Sequence, residues 1–208
     1  MKLISNLKDL IKDAHYWQYA DIGDTKDKIK KKKPMFYFLK IQWFFIIIAV
    51  IYVYFISVGF NDYFAGYIIT ALSLLIGLSF NFILTLFNKF SNIDFEKYKE
   101  EISIEKNVEG KKLKNFFRKT SILTQYSALL GILCIILLSM TLILPEANAN
   151  IELKYLLENI RNICFIEIGI VLHSCLIIYF LLDFLLITVY VITAFYDYFI
   201  SEINKVKL

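Results

Sequence analysis

Only two prolines, Pro34 and Pro145, interrupt the 208 residues, and both lie at the edges of apolar runs. Proline breaks helices by removing a donor and clashing with the preceding turn, so the apolar runs are free to form unbroken helix. Cysteine is scarce too: Cys134, Cys164 and Cys175 all sit inside or beside apolar runs, with no Cys-x-x-Cys pair. The odd count fits a reduced setting without a disulfide framework, and the three read as small buried hydrophobes. Histidine occurs twice, at His15 and His173. No His-Glu-x-x-His helix, Gly-x-Ser-x-Gly elbow or metal-spaced cluster is present. Glu109-Gly110-Lys111-Lys112 lacks the glycine-rich cradle and the Ser/Thr of a phosphate loop. Asp21, Asp24 and Asp27 do not follow the alternation of a calcium loop, and Asp24 reads more simply as a helix N-cap. The expectation is a protein that is not an enzyme and needs no cofactor or metal.

Charge is also missing, over long stretches. The chain is 58% hydrophobic, above the usage of ordinary soluble domains. Residues 41–61, 63–88 and 120–145 carry no charge, and 162–196 carries only Glu167, His173 and Asp183 as ionisable acid or imidazole groups. A bilayer core needs about 20 apolar residues in a helix, which predicts an all-α membrane four-helix bundle with spans over 41–61, 62–88, 120–145 and 162–196. The last would reach roughly 52 Å as one helix, so it is expected to span from about Ile168 to Tyr190 and to continue as helix beyond the membrane. The first apolar run begins too late in the chain for a signal peptide and reads as an uncleaved first span.

The lysines and arginines set the direction. Residues 1–40 hold ten, residues 89–119 hold nine and the tail 197–208 holds two, whereas the segment 146–161 holds only Lys154 and Arg161. By the positive-inside rule both ends and the 89–119 segment are expected in the cytoplasm of a bacterial inner membrane. Lys30, Lys31, Lys32 and Lys33 then fix topology and meet anionic lipid. The lysines follow the membrane boundary, so direct nucleic-acid binding is not expected. Outside, a turn at Gly59-Phe60-Asn61-Asp62 and a short interfacial helix (Ile151, Tyr155, Leu156) are expected.

Leu3, Ile4, Leu7, Leu10, Ile11 and Ala14 recur at helical spacing. The helix they predict over 3–17 suits the inner membrane surface, the middle segment or a soluble partner. In 89–119, mixed charges suit solvated helices, and Gly110 is expected to separate one helix from Lys111–Lys119, which leads into the third span. With the N-terminal segment this makes a helical cytoplasmic layer, the best surface for a cytosolic protein partner.

Polar groups inside the spans invite functional readings because they are costly there. Glu167 can reach the outer headgroups, and His173 reads as an interhelical hydrogen-bonding group or a proton carrier. Tyr179, Asp183, Tyr190 and Asp197 fall on one helical stripe; it bonds neighbouring helices or lines a pore or gate. Gly66, Thr70, Ser73, Gly77 and Asn81 share a face of the second span, and Ser127 and Gly131 lie four apart in the third. Small residues let membrane helices approach closely, within one chain or between copies in a homo-oligomer.

This layout, with the lead-in HYWQYADIGD…KKKKPMFYFLKIQWFF, resembles small four-span proteins of prokaryotic defence systems. It is most similar to the membrane subunits of Kiwa anti-phage systems, and next to the four-span accessory proteins of type VI-B CRISPR loci. The resemblance implies a membrane sensor that oligomerises and docks a cytosolic effector. Two other readings stand beside it: an oligomeric pore or membrane-disrupting effector lined by the Asp183 stripe, and a small transporter component. The transporter lacks the broken helices expected to flank a substrate site.

Overall fold

The computed structural model describes residues 2–22, 31–34, 38–55, 62–94, 104–143 and 165–205. Among them the chain is all α: α1 (Lys2–Tyr19), α2 (Lys40–Phe55), α3 (Asp62–Ser91), α4 (Ile104–Ile143) and α5 (Phe165–Lys205). Three helices are long and apolar enough to cross a membrane, Asp62–Ser91, Lys106–Ile143 and Glu167–Tyr198. α2 is apolar but has 16 residues, about 24 Å of helix, short of a bilayer core. The expected turn at 59–61, the external segment 146–161, Asp24, Asp27 and Lys30 lie outside the described residues.

Gly110 was expected to separate one helix from the next, and it does not: α4 runs through it from Ile104 to Ile143 without a break. No described glycine has a positive φ, so Gly110 takes ordinary helical geometry. A mid-helix glycine costs about 1 kcal/mol against alanine. Packing of Leu113, Phe116 and Phe117 just beyond it offsets that cost. α5 likewise runs unbroken for 41 residues.

The chain forms two compact units. The first takes residues 1–35, 78–127 and 187–208. Its core is aromatic: Leu86, Phe116 and Phe117 are buried, with Phe82, Phe90, Leu113, Phe195 and Tyr198 packed against them. Phe116 stacks on Tyr198 at 4.7 Å, and Phe82 meets Phe195 edge-on at 4.5 Å. Such pairs add about 0.5–1.5 kcal/mol each beyond area burial.

The second unit takes residues 36–77 and 128–186. Here Cys134, Leu138, Ile177 and Phe184 are buried. Gly131 is a true packing position, because a Cβ there would stand 3.0 Å from Ile76 Cδ1 and 3.3 Å from Phe184 Cε2. Gly66 and Gly77 differ: an added Cβ at either meets nothing within 4 Å. Thr70 and Ser73 on the same face donate to their own helix, to the carbonyls of Gly66 and Ile69. That face of α3 makes no close contact at its glycines.

Candidate functional site

Each unit carries one polar feature that its apolar surroundings do not explain. In the first unit it is an open cleft of about 670 Å³ walled by α1, α4 and α5. Trp17 and Gln18 come from α1; Glu109, Lys112 and Phe116 from α4; Tyr190, Asp197 and Tyr198 from α5. Aromatic rings make its apolar wall and acids and lysines its rim. Lys112 and Asp197 have no ion pair among the described residues, and both are exposed. Two sequence-predicted stripe residues, Tyr190 and Asp197, therefore meet in this cleft.

α1 is fastened to this unit by polar contacts. Arg118 pairs with Asp13 at 3.1 Å, and Lys119 donates to the Ala20 carbonyl at 3.0 Å. Lys119 also lies 3.8 Å from Asp21, which Lys32 reaches at 2.7 Å. This places Lys32 of the basic run on an acid of its own chain; Lys31 and Lys33 are exposed. Exposed pairs of this kind contribute about 0–1 kcal/mol each. Burial, with the Lys33 charge nearby, pushes His15 below its ordinary value. Burial and the neighbouring Tyr16 push Tyr19 up.

In the second unit the feature is Asp183, 1% exposed within the apolar stretch of α5. The Gln42 side-chain amide donates to its Oδ1 at 3.2 Å. Gln42 Oε1 in turn accepts the backbone N–H of Leu39 at 3.0 Å. Leu39 is the N-cap of α2, since its carbonyl takes the N–H groups of Gln42 and Trp43. Gln42 at the third helical position thus supplies half of a capping box and spends its other end on Asp183. The positive end of the α2 dipole faces the carboxyl as a result. Phe38 stands edge-on to Tyr179 at 6.3 Å, and Tyr179 lies one turn before Asp183 on α5.

No family model, curated protein or solved structure matches this chain.

The remaining predicted residues fall on several elements. Tyr179 and Asp183 lie in the second unit and Tyr190 and Asp197 in the first, so the four do not share one environment. His173 Nε2 meets Thr141 Oγ1 at 3.2 Å, bridging α5 and α4. Ser127 meets Thr188 at 3.2 Å, again between α4 and α5. Glu167 falls in the first turn of α5, where an acid complements the helix dipole. Ser73 is exposed. Among the described residues no group of three His, Cys, Asp or Glu side chains is arranged to hold a metal ion. Sequence reasoning passed over Gln42, although an amide inside an apolar run was itself a sign of a buried partner.

Proposed function

We propose that this chain is a non-enzymatic membrane sensor or scaffold that oligomerises and docks a cytosolic effector protein through the α1–α4–α5 cleft, in the manner of bacterial anti-phage defence proteins. In this reading α2 and the residues after it complete a fourth span. The positive-inside count then puts α1, the 89–119 segment and the chain end in the cytoplasm of the inner membrane. The observation that carries it is the cleft. It joins aromatic rings, which dominate protein recognition, to a rim where Lys112 and Asp197 await partners. A cleft of that size lies within the range of ligand pockets.

The test begins with native-level expression, gentle extraction and identification of co-purifying soluble protein. Binding of that purified protein is then measured for the intact chain and for the Lys112→Glu/Asp197→Lys variant. Loss of binding with the helices still folded supports docking at the cleft. Undiminished binding refutes it. A cysteine-accessibility map of residues 59 and 155 against residue 112 checks the sidedness separately.

A second reading, an oligomeric pore, is favoured by Asp183 alone, a buried carboxyl in an apolar helix. It requires ion flux in liposomes that changes in Asp183→Asn.

A further inference from the structure

α1 is an 18-residue amphipathic helix whose apolar sector is covered for only half its length. Leu3, Ile4, Leu7, Leu10, Ile11, Ala14 and Trp17 fall in one sector at helical spacing. Toward the C-terminal end, Ala14 is 0% and Trp17 6% exposed. Toward the N-terminal end, Leu3 and Ile4 are each 75% exposed and Leu7 38%. A continuous stripe is therefore covered at its C-terminal end and runs on bare toward its N-terminal end.

Three observations say what covers it. The bare stretch continues a stripe already used as an interface, so it faces the same way as the docked half. Asp13 in α1 and Ala20 just after it stand seven residues apart, roughly 10 Å along the helix axis, yet they are held by neighbouring residues of α4, Arg118 and Lys119. α1 thus crosses α4 at that level, and Arg118 and Lys119 are the last charges before the uncharged stretch Thr120–Ile143. The polar side of the bare half carries Lys2, Lys8 and Lys12 against Asp9, since Asp13 is already paired with Arg118. A second copy of α1 laid on this face would bring the same lysines against them.

We propose that the N-terminal half of α1 lies in the headgroup layer of the adjoining leaflet, Leu3, Ile4 and Leu7 toward the acyl chains and the lysines among anionic lipid headgroups. This rests on the membrane placement given above.

Spin labels on the full chain in vesicles test it, with Cys134→Ala, Cys164→Ala and Cys175→Ala removing the native thiols. One label is placed at Ile4→Cys, one on the opposite face at Ser5→Cys and one at the exposed mid-span position Ile136→Cys. In vesicles containing phosphatidylglycerol, oxygen outweighs the aqueous relaxant at Ile4, and the order reverses at Ser5. The Ile4 preference weakens in purely zwitterionic vesicles. An aqueous reading at Ile4 with a lipid reading at Ile136 overturns the α1 assignment alone. An aqueous reading at both overturns the membrane placement. Spin–spin broadening at Ile4 overturns the lipid assignment in favour of a second copy.

Discussion

Replacing Gln42 and Asp183 singly and together separates structural pairing from conduction. Gln42→Leu removes the donor to Asp183 and the acceptor that caps Leu39. Loss of a helix cap costs about 1 kcal/mol. Losing a buried hydrogen bond to a carboxyl costs about 1–2 kcal/mol, given the modest values measured between membrane helices. Gln42→Leu is therefore expected to lower stability by about 2–3 kcal/mol. Asp183→Leu loses the same bond but also removes the buried carboxyl, for about 1 kcal/mol net. The double variant keeps only the cap loss and the change in packing, so it should fall short of the summed singles by about 1–2 kcal/mol. The assay is a thermal midpoint in lipid nanodiscs, where 1 kcal/mol corresponds to about 2–4 °C at this chain length. Additivity within about 0.5 kcal/mol would refute the pairing argument. A stable double variant that loses ion flux would move the reading toward the pore.

Gly131→Val and Gly77→Val make a matched pair. The first forces branched carbon against Ile76 and Phe184 and should cost about 1–3 kcal/mol by overpacking. The second meets open space and should leave the isolated chain's thermal midpoint nearly unchanged. Crosslinking then shows whether Gly77→Val reduces association between copies, as a packing face would require. Acidity should loosen α1. His15 is held below its ordinary 6.5, so the folded chain favours the neutral ring. Stability from this source is full above about 6.5 and is lost as pH falls through that value toward the lower folded one. Protection from hydrogen exchange over residues 2–19, corrected for the intrinsic rate at each pH, should therefore fall between about pH 7.5 and 5.5, and His15→Gln should flatten the dependence.

The helices were legible where physics is local. Absence of charge over 63–88 and 120–143 requires apolar surroundings, and the spacing of Leu3 to Ala14 requires a helix; all three elements are present. Gly110 misled because glycine weakens a helix by only about 1 kcal/mol, which aromatic packing a turn or two away offsets. Gly66, Gly77 and Gly131 all read as small-residue packing positions, but only the last is pressed by neighbours. Small size permits close approach without compelling it. The Gln42–Asp183 contact joins residues 141 apart, a distance over which no spacing rule operates. The cleft is hidden for the same reason, since its walls come from three separated helices.

How firmly α1 is seated turns on Trp17. The Arg118–Asp13 ion pair that helps to hold α1 is 61% and 43% exposed, so screening leaves it contributing little. Its main buried anchor, Trp17, carries an indole N–H with no hydrogen-bond partner among the described residues. An orphaned buried donor costs about 1–3 kcal/mol, which offsets much of what the ring gains by packing. Trp17→Phe removes that penalty along with some buried area. It should therefore change stability by less than about 1 kcal/mol, where an ordinary core tryptophan would lose appreciably more. A loss of about 3 kcal/mol or more would mean that the indole is a firm anchor. Because Trp17 also lines the cleft, a weakly seated α1 lets displacement of its bare half alter the surface offered to a partner. A firm one would separate the two. The outcome at this single residue tests whether, in the sensor proposed above, the helix can carry a signal from lipid to cleft.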